Sequence, residues 1–449
     1  MDKQIFIEKL LDRARQAGFD AAEVYLSEGS EFETAVHKGE ITQYNVSDTM
    51  ALGFRVLKGG KVGSASTQVL DDDAIDMLIR AAKEAAELTE NADERFFAGS
   101  ESYPEVLSDT AKVQALGAAE KIEMARAFEQ MAFDYDSRIV PFDGCGISTT
   151  VSKRRLVNSL GLDLSAERGC MGAYIYPLAK DGEKSSVAGR MAFSEDPKNI
   201  HFAALASAAA AEAVSMLDAE SVPSGRYRIL LRNNMAAALL STYSSLFSAY
   251  AAQKGLSLLK GREGEIIAAP CVNIIDDPWL ADSYTSRAFD GEGVATQKKA
   301  VIEAGRLNTL LHNLKTASKQ GVSTTGNASR SGAAGPITVA PSNFHFAAGS
   351  LSMEELAKEA GEAILITSLM GMHSGANTVS GDFSLGAKGY LIKNGKIDRP
   401  VNQITIAGNY LELLRDIEAC GNDMYFSAPG SSRFGSPTLM VKSLSVAGK

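Results

Sequence analysis

One plan, written twice, constrains this chain more than any single motif. Residues 32–46 read as a strand pair turning through His37-Lys38-Gly39, and residues 51–66 as a second pair turning through Lys58-Gly59-Gly60. The helix expected after them, 74–88, carries Ile75, Leu78, Ala82 and Ala85 on one stripe behind Asp71, Asp72 and Asp73, charges that suit a helix N-terminus. Residues 144–216 repeat this order. Strands 147–152 and 156–159 flank Lys153-Arg154-Arg155, strands 172–177 and 185–190 flank Lys180-Asp181-Gly182, and the Ala-rich stretch 201–216 closes the unit as a helix. The implied architecture is a duplicated antiparallel strand unit with covering helices.

The remaining punctuation fits an α+β chain, because strands and helices do not alternate regularly. Residues 4–17 place Ile5, Phe6, Leu10, Leu11 and Ala14 on one helical stripe that stops at Gly18, and 109–131 reads as one long helix through Val113, Leu116, Met124, Phe128 and Met131. Ser221-Val222-Pro223-Ser224-Gly225 is a linker, dividing the chain into domains 1–222 and 223–449. Beyond it a strand at 227–231 feeds a helix expected over 235–250, and His345 falls in a strand at 343–346. Ser352 with Glu355 forms a capping box, with Leu351 and Leu356 as its hydrophobic staple. Asn409 with Glu412 opens a helix that Gly421 is expected to close.

Composition excludes several functions. With 45 Lys+Arg against 55 Asp+Glu the net charge is −10, which argues against a clustered basic face for nucleic acid. No apolar run is long enough for a membrane span, and the amphipathic start is not that of a signal peptide. Cys145, Cys170, Cys271 and Cys420 form no CxxC and read as reduced, mostly buried thiols of a cytoplasmic protein. With only 5 His, the material for a histidine metal site is thin.

Generic motifs stay silent: there is no GxGxxG, Walker loop, GxSxG elbow or HExxH. Ser257-Leu258-Leu259-Lys260 matches SxxK, a pattern that chance supplies readily. Asp290-Gly291-Glu292-Gly293 offers two carboxylates to a hard cation or to acid/base work, or is simply a solvated turn. His373 precedes Asp382, and two ligands are too few for a catalytic zinc, which takes three from protein.

Several segments in fixed order carry more. Ala22-Glu23-Val24-Tyr25, Gly53-Phe54-Arg55-Val56 and Gly63-Ser64-Ala65-Ser66 are followed by 289–296 (FDGEGVAT) and 302–307 (IEAGRL). Then come Thr324-Thr325-Gly326-Asn327-Ala328, Gly381-Asp382-Phe383-Ser384 and Thr405-Ile406-Ala407-Gly408-Asn409. Over essentially its whole length the chain resembles the TldD/PmbA family, once called modulators of DNA gyrase. The resemblance implies an N-terminal α+β domain and a C-terminal domain on a curved, barrel-like sheet. TldD-type members are zinc metallopeptidases whose motif is HExxxH on a helix after a strand, plus a Cys near the C-terminus. Here Ser241 stands for the first His, Thr242 for the Glu and Leu246 for the second His, and 426–436 holds no Cys. A neutral Ser and a Leu cannot replace deprotonated ligands.

The pattern therefore resembles the PmbA/TldE branch, which lacks the zinc ligands. It implies no cofactor in this chain and zinc in a TldD-type partner, with which it forms a heterodimer that trims small unfolded peptides. A homodimer of the isolated chain is a further expectation, and neither nucleic acid nor membrane is an expected partner. Peptide contacts are expected at Thr324, Thr325, Gly326 and Asn327 and at Gly381, Asp382, Phe383 and Ser384, unless these loops are recognisable only for their backbone angles. Two alternatives remain open. One is a stand-alone metal-dependent hydrolase using some of Asp290, Glu292, His312, His373 and Asp382; the other is a protein-binding modulator of gyrase.

Overall fold

The computed structural model describes residues 1–90 and 95–449. Helix α1 (Lys3–Gln16) starts at Asp2, whose carboxylate accepts the N–H groups of Gln4 and Ile5. It buries Phe6, Ile7, Leu10 and Ala14, whereas Ile5, expected on that stripe, is exposed. Strands β1 (Ala21–His37), β2 (Glu40–Lys58) and β3 (Lys61–Thr67) form a meander, and α2 (Asp72–Leu88) covers it. The chain then passes α3 (Ala111–Gln114), α4 (Ala118–Phe133) and the short β4 (Ile139–Val140). Next come β5 (Cys145–Asn158), β6 (Asp163–Ile175), β7 (Leu178–Asp181), β8 (Lys184–Val187), β9 (Arg190–Ser194) and α5 (Phe202–Ser215).

The duplication is present in the fold. The six-stranded sheet runs β3-β2-β1-β5-β6-β9, so each copy is a helix, three strands and a helix, and the copies meet where β1 and β5 pair antiparallel from Glu23↔Asn158 to Val36↔Cys145. The first copy turns at Lys38-Gly39 and at Gly59-Gly60 as expected, but the second copy departs from the sequence pattern at one turn. The expected turn at Lys153-Arg154-Arg155 is the middle of β5, paired with Glu167, Ala166 and Ser165 of β6. Long basic side chains on a half-exposed strand imitate a turn by composition alone. The expected turn at Gly182 is present, but it joins β7 and β8, a hairpin inserted between β6 and β9 that pairs with β4 in a small separate sheet. The single helix expected over 109–131 is two, because Gly117 takes an extended conformation and starts α4 afresh.

In the C-terminal half, β10 (Gly225–Leu231) pairs parallel with Ala363–Met370 and antiparallel with Leu439–Ala447. Through Asp382–Lys393 and Lys396–Asn409 the circle closes, giving a five-stranded barrel. A Cβ on Gly389 would lie 1.7 Å from the Leu365 carbonyl oxygen, so only glycine lets these barrel strands approach where their register shifts. Along β10, Ile229 and Leu231 face the largest core, while Leu230 joins a second cluster with Leu356 of the helix Met353–Ala360. That helix has the expected capping box between Ser352 and Glu355.

Helix α6 (Asn233–Thr242) follows β10 and ends early. The helix expected over 235–250 is instead α6, a 3₁₀ turn (Ser244–Phe247) and α7 (Ala249–Gln253). Hydroxyls explain the break: Thr242 Oγ1 donates to the Ala238 carbonyl and Ser244 Oγ to that of Ser241, competing with the backbone ladder. Asn409 caps the helix Tyr410–Arg415 as expected, but that helix stops at Asp416, and Ile417–Cys420 forms a strand against Leu439–Ala447 rather than running on to Gly421. The two halves of the chain are in contact. A Cβ on Gly53 of β2 would sit 2.0 Å from the Ala333 carbonyl oxygen, where a C-terminal loop lies on the N-terminal sheet.

Candidate functional site

Between β8–β9 and the barrel lies a cleft of about 520 Å³, and α6 forms one wall through Asn234, Met235 and Ala238. Tyr176, Arg190, Met191 and Tyr425 line it too, and Thr367 and Lys388 come from the barrel strands. Its charges are satisfied internally. Glu212 on α5 accepts from Arg190 at 2.6 Å and from Arg232 at 2.6 Å, tying the N-terminal sheet to the start of α6. Burial pushes the Glu212 carboxyl up, but the two guanidiniums outweigh burial and hold it below its ordinary range. Arg232 also donates to the Thr367 carbonyl at 2.6 Å. Lys388, whose ammonium burial drives down, donates to the Val187 carbonyl at 2.6 Å. The sequence pattern missed this triad, although Glu212 is the one charged residue in the run FAALASAAAAEAVS.

The positions that the resemblance sets against the zinc motif lie at and just beyond the end of α6. Ser241 and Thr242 end α6, with Thr242 Oγ1 3.5 Å from the Met372 sulfur. Leu246 is on the 3₁₀ turn, fully buried within the main core. The stretch in which the resemblance looks for a Cys is also here, since Tyr425, Ser427 and Ala428 line the cleft against α6. These residues do not fit a zinc ion: a hydroxyl at 241, a hydroxyl at 242 and an alkyl group in the core supply no imidazole or thiolate. Among the described residues, no three His, Cys, Asp or Glu side chains converge on a possible metal position.

The other candidates are scattered. Asp290 Oδ1 accepts the N–H groups of Glu292 and Val294, and Oδ2 that of Ala328. Glu292 accepts from Leu314 N–H at 2.8 Å. Burial pushes both carboxyls up, Glu292 to about 8 with the Asp290 charge adding to the effect. His312 is buried nearby with Nδ1 unpartnered, while His373 is exposed on the turn Met372–Gly375. Ser257 of the SxxK match is structural: its hydroxyl donates to the Leu246 carbonyl at 2.5 Å.

Of the eight residues expected to touch peptide, Thr324, Asp382 and Ser384 alone reach solvent. Thr325 and Asn327 are buried, because Asn327 Nδ2 donates to Asp276 at 2.7 Å and Thr325 Oγ1 to Asn327 Oδ1 at 2.7 Å. Gly326 and Gly381 take positive φ (68° and 83°), and Phe383 packs into the core. For these five, backbone angle and packing account for the residue type.

Family models for PmbA/TldA metallopeptidases match in three pieces: domain 1 over 22–86, the central domain over 112–217 and the C-terminal domain over 224–448. The chain belongs to the PmbA/TldD family. It is 27% identical over 417 residues to the metalloprotease PmbA of Escherichia coli O157:H7, spanning 90% of this chain and 88% of that one. It is 27% identical over 421 residues to a PmbA homologue of Haemophilus influenzae, spanning 92% and 90%. A Thermotoga maritima structure named for modulation of a DNA gyrase superposes with a TM-score of 0.92 at 34% identity, over 99% of this chain and 100% of that one. TldE of Thermococcus kodakarensis shares the fold, with a TM-score of 0.90 at 21% identity over 99% and 100%.

Proposed function

We propose that this chain is the PmbA/TldE-type subunit of a two-subunit peptidase that processes small unfolded peptides, and that it is itself non-catalytic. One observation carries the reading: Leu246, at the place of the second zinc histidine, lies at 0% exposure in the main core, beyond the end of α6. Its side chain packs in that core and is not among the residues that line the cleft. Zinc and the general base then belong to a TldD-type partner in the cytoplasm, and the isolated chain pairs with itself through the same surface.

The chain's own contribution is alignment. Strand β9 is the last in its sheet, and Arg190 and Met191 at its start line the cleft. A strand at the end of its sheet, beside a cleft, suits an extended peptide, since backbone hydrogen bonds give affinity without sequence preference. Thr324, Asp382 and Ser384 are further contact positions. The test is metal analysis of the purified chain, then incubation with an unfolded peptide. The reading expects no stoichiometric zinc and no cleavage; chelator-sensitive cleavage by the pure chain would overturn it. The Thermotoga maritima relative's name motivates a second reading, a protein that binds gyrase, and capture of purified gyrase by this chain without a partner would favour it.

A further inference from the structure

A second cavity lies at the seam between the N-terminal sheet and the C-terminal loops, away from the cleft. It has a volume of about 120 Å³ and is lined by four arginines: Arg154 and Arg168 from β5 and β6, and Arg287 and Arg330 from the C-terminal half. Among the described residues, Asp290 is the one carboxylate on its wall, and its oxygens are taken up by three backbone N–H groups.

The arginines differ in how far they are satisfied. Arg168 donates to the carbonyls of Ser286, Leu107 and Val106 and lies 3.6 Å from Glu195. Arg330 donates to the Gly291 carbonyl and to Glu23, which is shared with Arg55. Arg287 is 7% exposed and donates from Nη2 to the Pro341 carbonyl at 3.1 Å, but its Nε–H has no acceptor among the described residues. Arg154 stacks 5.1 Å from the centre of the Phe289 ring and, among the described residues, has no hydrogen bond or ion pair.

A buried guanidinium N–H without an acceptor is costly, and like charges converging on one small volume add to the cost. Water can accept from such a donor but brings no opposite charge. An oxyanion supplies both acceptors and charge, and arginine's planar fork matches its geometry. We infer that this cavity binds a small oxyanion, a phosphate or a carboxylate, held by Arg154 and by the Nε–H of Arg287. Such an ion would join the two halves of the molecule, because its ligands come from both. The site stands whether or not the chain serves a peptidase.

The test is thermal unfolding of the full chain, titrated with sodium phosphate against sodium chloride at matched ionic strength. Two further arms use an N-acetylated dipeptide with a free C-terminus and its amide. A saturable rise in melting temperature with phosphate, or with the acid but not the amide, supports the site and tells which oxyanion it prefers. Arg154→Ala should weaken that binding about tenfold or more and still fold, since Arg154 is half-exposed and unpaired. Arg287→Met tests the second donor, with its circular dichroism spectrum as the check on folding. The inference fails if neither phosphate nor the acid gives a saturable rise, if acid and amide act alike with no phosphate response, or if Arg154→Ala responds as the wild type does.

Discussion

Replacing Leu246 by histidine restores the residue that a zinc-binding relative would have there, and the packing around that side chain sets the cost. Leu246 is fully buried among Tyr243, Phe247 and the rest of the main core, and its carbonyl accepts the Ser257 hydroxyl. Truncating a buried leucine to alanine costs about 2–5 kcal/mol. Histidine keeps some of the lost volume but brings two ring nitrogens into a site with no partner, adding about 1–3 kcal/mol for the group left unsatisfied. Leu246→His should therefore cost about 3–5 kcal/mol, at least as much as Leu246→Ala. Urea unfolding followed by Trp279, the one tryptophan and a residue of the C-terminal half, reads this directly. The triple variant Ser241→His, Thr242→Glu, Leu246→His should be as unstable and should bind no stoichiometric zinc. If it binds zinc while keeping wild-type stability, position 246 is an open ligand position and the reasoning is wrong.

Three smaller predictions come from the same side chains. Glu212→Gln breaks a buried pair shared by two arginines and should cost about 3–5 kcal/mol at neutral pH. Because the folded carboxyl lies below its unfolded value of 4.5, that stability is complete above 4.5 and fades as pH falls through the folded value, so acid unfolding should flatten in the variant. Glu292 runs the other way. Its folded value of about 8 lies above 4.5, so stability drains as pH rises between them, by up to about 1.4 kcal/mol per pH unit, and Glu292→Gln should remove that slope in melts from about pH 5 to 9. Cys271 is exposed, and a hydrogen bond with Cys420 lowers its thiol to about 7 against the opposing effect of burial, so maleimide labelling read by mass spectrometry should mark Cys271 before the three buried cysteines.

Local rules with a one-to-one physical cause were legible in the chain. The caps at Ser352 and Asn409 and the strand at 343–346 stand where the residues place them. So does the duplication, because apolar periodicity survives in both copies. What composition obscured were the strand through Lys153-Arg154-Arg155 and the break after Thr242. In the first, sheet pairing on both sides overrides a turn-like run; in the second, hydroxyls that bond carbonyls four and three residues back decide against helix. The triad of Glu212, Arg190 and Arg232 and the arginine cavity join residues far apart in sequence, and only the packing of the two halves brings them together. That Leu246 packs in the core rather than along the cleft was not legible in the sequence, because it depends on the break after α6.

We propose that this chain aligns peptide for a catalytic partner without cleaving it. The most direct measurement is the rate at which an unfolded peptide is cleaved by a purified, zinc-loaded TldD-type subunit, with this chain titrated in. The account predicts negligible rates for either subunit alone and a rate that saturates at one chain per partner. A rate unaffected by this chain, or equal cleavage by this chain alone, would contradict it.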